Sequence, residues 1–207
     1  LENGMVIVIK GTTNAFVAEE ISGEKVDKIA FVTGMIEPEK GAQKPPEVKA
    51  VNHLIIEKGK VIDIPLLEAA KKLRAGDVVI KGANALDYKN KMAAVNILHP
   101  EGGTTGITFP RAIARKAHVI IPIGLEKLIA GDILDMTLKM RDPMQTLPDP
   151  PGTSSAKYPG HNVPSMWLLT GEIVTELEAI KMLTVADAFQ ASAGGISGAE
   201  GGVWLVF

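Results

Sequence analysis

Asn84, Asp87, Lys89 and Lys91 all lie within ten residues of Lys81, which directly follows the apolar run Asp77-Val78-Val79-Ile80. That run is β-branched after its opening Asp, so it reads as a buried strand ending at Lys81, with Gly82 permitting a sharp turn. The carboxyl ends of strands are where open α/β sheets bind ligands. Lys81 could serve as a cation for a phosphate or a developing enolate, or as an amine for a Schiff base. It could equally be a strand-end lysine whose stem snorkels to solvent. Asp87 is a candidate general base or a helix cap, and Lys91 follows four residues later, the spacing of a pair across one helical turn.

Polar glycine turns form a second set of candidates: Gly11-Thr12-Thr13-Asn14, Gly102-Gly103-Thr104-Thr105-Gly106, and the glycine-rich stretch 194–202. Glycine lets backbone approach a phosphate closely, and Thr or Ser adds donors, so the three could converge on one anionic ligand. Each could also be an ordinary turn or cap. Glu172 and Glu176 have the spacing of one helical face, where like charges repel. Glu126-Lys127, after the Pro122-Ile123-Gly124 turn, fits either a ligand contact or a local ion pair. The four histidines, His53, His99, His118 and His161, share no metal-ligand spacing. No metal and no cofactor is expected.

These groups need a scaffold. Met5 to Ile9 reads as a strand, followed by the 11–14 turn and a helix carrying Phe16, Val17 and Ile21; the free N–H groups at such a helix start suit an anion. Ile29 to Val32 reads as a second strand, and 37–49 as a surface loop. Residues 54–56 and 61–62 flank Glu57-Lys58-Gly59-Lys60 as a hairpin. Pro65 opens a helix with Leu66, Leu67, Ala70 and Leu73. A basic helix with Arg111, Arg115 and Lys116 follows the second glycine turn, and then the strand 118–121. Met166 to Leu169 is a strand, Ile173, Leu177 and Ile180 mark a helix, and Thr184 with Asp187 has the spacing of a capping box for another. The end, 203–206, is a strand bearing Trp204 and followed by Phe207, too apolar for an open edge.

The chain has 207 residues, 46% hydrophobic but only 4% aromatic, so its core is aliphatic, as parallel strands under helices require. A net charge of −2 without a basic run gives no footprint for nucleic acid. There are no cysteines, which excludes disulfides and thiolate chemistry and permits a reducing compartment. No apolar run reaches the roughly 18 residues of a membrane helix, and nothing resembles a signal peptide. Six of the 13 prolines lie between 141 and 164. A Pro-rich loop over 141–165 would act as a lid, an interface arm or a mobile connection.

The strand–Gly11-Thr12-Thr13-Asn14–helix unit resembles the phosphate loop that opens the ribose-5-phosphate isomerase fold. Val79-Ile80-Lys81-Gly82-Ala83-Asn84-Ala85-Leu86, with Lys91-Met92-Ala93-Ala94, is similar to that family's Ile-Lys-Gly-Gly-Gly…Ala-Leu…Glu-Lys-Ile-Val-Ala run. Gly82-Ala83-Asn84 with Asn90-Lys91 is also similar to the Gly-Ala-Asp…Asn-Lys run of the methylthioribose-1-phosphate isomerase and initiation-factor-2B relatives. All belong to one superfamily, with glucosamine-6-phosphate deaminase and coenzyme A transferases. The chain departs from them at Asn84, where the sugar-phosphate enzymes place an Asp, and at Asn90, where ribose-5-phosphate isomerase has its Glu base.

The resulting expectation is a single α/β domain over 1–207, a mostly parallel open sheet with helices on both faces, Rossmann-like and cytoplasmic. Its function would be binding of a phosphorylated small metabolite, with sugar-phosphate isomerase-type proton transfer. Lys81 and Asp87 would carry that chemistry. Gly11, Thr12, Thr13, Asn14, Gly82, Asn84, Lys91, Gly102, Gly103, Thr104 and Thr105 would bind the ligand. The alternatives are a non-catalytic sensing or regulatory module, or coenzyme A/acyl transfer through Glu101. The partner is a small molecule and a second copy of the chain, with neither nucleic acid nor membrane.

Overall fold

The computed structural model of the chain describes residues 2–33, 51–142 and 164–207. The surface loop expected at 37–49 and nearly all of the Pro-rich stretch at 141–165 lie outside them. In chain order the first elements are β1 (Met5–Val8), α1 (Thr12–Ser22), β2 (Leu54–Glu57), β3 (Lys60–Val61), α2 (Leu66–Lys72) and β4 (Val78–Ile80). Then come β5 (Ala85–Asp87), β6 (Met92–Ile97), α3 (Gly103–Arg115), β7 (His118–Pro122) and α4 (Ile133–Lys139). The last are β8 (Ser165–Leu169), β9 (Glu172–Val174), α5 (Glu176–Thr184), β10 (Phe189–Ala193) and β11 (Val203–Val206). The chain divides into two compact units, 1–82 with 101–120, and 83–100 with 121–207.

The first unit is mixed α/β. Its sheet runs β3-β2-β1-β4-β7, parallel from β1 through β4 to β7 and antiparallel at β1–β2 and β2–β3. Val6, Val8, Ile56 and Ile80 pack with Ala15 and Ala18 of α1 and with Phe31. The alternate residues Ile7, Ile55 and Val79 point the other way along each strand and are buried too, so both faces of the central strands are covered. α2 and α3 pack on one another. Asp77 sets the register at the amino end: its buried carboxylate accepts the N–H of Met5 at 2.8 Å and of Arg74 at 2.7 Å.

The strand expected at 29–32 is instead a turn. The Asp27 carboxylate accepts the N–H groups of Ile29 and Ala30, and Phe31 N–H reaches Asp27 C=O. The apolar run contributes by burying Phe31 in the core rather than by pairing.

In the second unit β5, β6 and β8 form an antiparallel sheet, and β10 pairs with β11 as a two-stranded hairpin. The chain passes from β7 into this unit, where Ile123 N–H donates to Val174 C=O of β9 at 3.0 Å. Three local expectations are corrected. Asp87 and Lys91 do not share a helical turn: Asp87 ends β5, and residues 88–91 turn the chain into β6, with Lys91 left-handed at φ 52°. Glu172 lies on β9 and Glu176 on α5, so they share no helical face, and Ile173 is likewise in β9 rather than the helix. The capping box belongs to Thr175 and Glu178 at the start of α5, not to Thr184 and Asp187.

Candidate functional site

The parallel strands β1, β4 and β7 end at one edge of the first unit. α1 starts there because only Ile9, Lys10 and Gly11 separate it from β1. The first intrahelical bond is Ala15 N–H to Gly11 C=O, so the N–H groups of Thr12, Thr13 and Asn14 have no partner within the helix. α3 connects to β7 through two residues and so runs back along the sheet, which brings its own start to the same edge. Gly102 and Gly103 take φ of 76° and 55° there, as few other residues do. Gly106 is required for a different reason: a Cβ on it would lie 1.8 Å from Glu101 C=O. Thr105 is buried in the first turn, and Thr108 Oγ1 donates to Thr104 C=O. Gly11 is extended, and a Cβ there would only touch the Asn14 side chain at 3.9 Å, so its lack of side chain leaves the helix end open rather than easing strain.

Asn14 is fully buried, and its Nδ2 bridges two strand ends, donating to Ile9 C=O at 2.8 Å and Ile80 C=O at 3.2 Å. Two carbonyl acceptors fix which end of the amide is nitrogen. Its Oδ1 is then buried with no hydrogen-bond partner, an uncommon state for a buried acceptor.

Lys81 follows Ile80 and is only 6% exposed. Its backbone N–H continues the ladder to Ile120 C=O at 3.0 Å. Among the described residues no acceptor or carboxylate meets its ammonium, and burial pushes its pKa down to about 8. Two residues that sequence reasoning passed over complete the cluster. His53 Nδ1 accepts the backbone N–H of Lys10 at 3.0 Å, and Lys10 Nζ donates to Val51 C=O at 2.9 Å. Burial, then the charges of Lys10 and Lys81, hold His53 down to about 4. The imidazole is neutral at pH 7, with its proton on Nε2. No spacing rule links residues 10, 53 and 81; only sheet pairing of β2 and β4 on either side of β1 collects them.

Asn84, Asp87 and Lys91 belong to the second unit. Asn84 Oδ1 accepts Asn96 N–H at 3.0 Å beside the β5–β6 pair. Asp87 Oδ1 and Oδ2 accept the N–H and Nδ2 of Asn90, at 3.0 and 2.8 Å, and these bonds lower its pKa. Lys91 Nζ donates to Glu178 Oε1 at 2.7 Å and sits 3.3 Å from the centre of the Tyr88 ring. Tyr88 Oη donates to the same oxygen at 2.8 Å. Burial opposes the charge on Glu178, but Lys91, Thr175 and Tyr88 outweigh it and take its pKa to about 2. Thr-x-x-Glu at 175–178 was the sequence signal for this residue.

Gly82 closes the first unit after Lys81. The third glycine turn, 194–202, closes the β10–β11 hairpin through Gly194 N–H to Gly202 C=O at 2.8 Å. Glu126 and Lys127 form a local ion pair at 3.6 Å. Two clefts lie elsewhere. One of about 520 Å³ includes Glu2, Gly4 and Gly76 at the amino ends of β1 and β4, and one of about 430 Å³ includes Asp87, Asn90 and Asp132. Neither contains Lys81; Glu2 lines the first, and Asp87, Asp132 and Lys89 line the second. Among the described residues no helix is long and apolar enough to cross a membrane.

No known protein family, characterised protein or solved structure matches the chain.

Proposed function

We propose that the chain binds a phosphorylated small metabolite at the carboxyl edge of β1 and β4, treating the β1–β4–β7 ladder as a Rossmann-like ligand edge. The observation that carries this is Lys81: a cation only 6% exposed that no described carboxylate neutralises, one residue past β4, the strand paired with β1, after which α1 opens. An anion there would restore the charge partner that burial has removed and would draw the Lys81 pKa back up. Thr12, Thr13 and Asn14 would offer backbone N–H groups, and Gly103 to Thr105 a second set at the start of α3.

Binding without proton transfer is the second reading, and Asp87 favours it. Both of its oxygens are used within its own turn, and a carboxylate with a lowered pKa is a weak base at neutral pH.

We further propose that a second copy of the chain covers the β10–β11 hairpin. Phe189, Trp204 and Phe207 are 59%, 68% and 75% exposed, and the hairpin adds Ile196 and Val206. At 150–250 Å² per aromatic, this open surface is on the order of 600 Å², near the roughly 800 Å² per partner of a stable interface. Neither strand carries the charges or prolines that normally protect an edge.

Thermal-shift titration with inorganic phosphate, sugar phosphates and the matching free sugars tests the binding reading, because a ligand that prefers the folded state raises Tm by mass action. Stabilisation by the phosphorylated members alone is the expected result. Equal response to the free sugars, or no response, overturns it.

A further inference from the structure

Two groups stand out at the carboxyl edge of β1 and β4: the Lys81 side chain, 6% exposed with no carboxylate on it among the described residues, and Asn14 Oδ1, buried with no hydrogen-bond partner. An ammonium kept from water without a carboxylate is costly, while the neutral amine is not. Burial alone brings Lys81 to about 8, so about a tenth of it is neutral at pH 7. That fraction is a nucleophile. The surroundings keep it available. Lys10 Nζ is tied to Val51 C=O, and His53 is neutral with Nδ1 engaged, leaving Nε2–H as a donor. Asn14 cannot turn its amide around without losing two strand-end carbonyls, so Oδ1 remains an acceptor for a ligand hydroxyl or N–H.

We propose that Lys81 forms a reversible imine with a phosphorylated aldehyde or ketone. The proposal rests on the phosphate-binding reading above and adds a covalent step to it. The Nζ lone pair attacks the carbonyl carbon, and the C=O π pair moves to oxygen. The two amine hydrogens then leave with that oxygen as water, and C=N forms. No oxidant or reductant takes part. The phosphate is held by the N–H groups at the start of α1, and Asn14 Oδ1 accepts from the ligand.

The test uses the full chain with pyridoxal 5′-phosphate, trapping any imine with borohydride and locating it by peptide mass spectrometry. Lys81 should be labelled at a tenth or less of the aldehyde concentration that other lysines need. Inorganic phosphate should protect it, and pyridoxal without the phosphate should label it at least tenfold more weakly. Lys81 labelled no faster than surface lysines, while phosphate still raises Tm, overturns the imine and leaves the binding reading standing. Fast labelling of Lys81 by both aldehydes with no phosphate protection keeps the imine and removes the phosphate. No fast labelling and no phosphate effect removes both. The wild-type chain decides every outcome, so nothing depends on how well a Lys81 variant folds.

Discussion

Lys10 donates its backbone N–H to Nδ1 of His53 at 3.0 Å, across 43 positions of sequence. The bond fixes the imidazole tautomer and ties the segment before β2 to the end of β1. It also places a neutral ring, not a cation, beside Lys81, so the positive charge at this edge comes from lysines and helix ends.

That arrangement has an acid signature. His53 binds a proton less readily folded, at about 4, than at its ordinary 6.5. The unfolded chain therefore takes up more protons between those values, and stability falls as pH drops through 6.5 to 4; above 6.5 the contribution is complete. Urea titrations at pH 7 and pH 4.5 should show a loss of about 2 kcal/mol that His53→Gln largely removes. An unchanged pH slope in the variant would assign the acid loss to other groups.

Lys81 gives the opposite dependence. Its folded value of about 8 lies below the usual 10.5, so the unfolded chain holds more protons between them. Stability should rise from pH 8 to 10.5, and below pH 8 the cost is present in full, on the order of 3 kcal/mol. Lys81→Met should raise the unfolding free energy at pH 7 by about 1–3 kcal/mol and flatten that slope. A destabilised Met variant would mean that a partner holds the ammonium.

Gly11→Val separates folding from binding. The position is extended and has room for a Cβ, so Tm without ligand should move by less than about 2 °C. The branched side chain covers the start of α1, and the phosphate-induced rise in Tm should disappear. Normal phosphate stabilisation in this variant would place the anion elsewhere.

The hairpin is tested by sedimentation. Wild-type chain should show a concentration-dependent dimer, and Trp204→Ser, which removes the largest exposed ring, should weaken it at least tenfold. A monomer at all concentrations in the wild type would leave the hairpin without a second copy.

Local chemistry was enough to read much of this chain. The apolar β-branched runs at 5–9 and 77–81, Pro65 before an apolar stripe, and Lys58-Gly59 between two short runs each encode their element within a few residues. The same local logic failed at 85–97. Ala85-Leu86-Asp87 and Met92-Ala93-Ala94 have helix-compatible composition, and Asp87 with Lys91 has helical spacing. What makes them strands is the pairing of β5 with β6 and of β6 with β8, whose partners lie 68 to 76 positions away, and an Asp87–Asn90 turn that ends the first strand. At 172–180 an apolar period was visible, but the Thr175–Glu178 cap decides that the helix starts after Ile173.

By itself, then, the sequence determined the residue types at the strand ends: Lys81 after a buried run, and glycine with threonine at two helix starts. Only the tertiary structure decided which of them share an environment. His53, Lys81 and the pair Lys10 and Asn14 come from three separate stretches, and parallel pairing of β1 with β4 and antiparallel pairing of β1 with β2 bring them to one edge. Burial there, which no local pattern encodes, lowers the pKa of Lys81 and leaves Asn14 Oδ1 without a partner, because both depend on how much water the surrounding chain excludes.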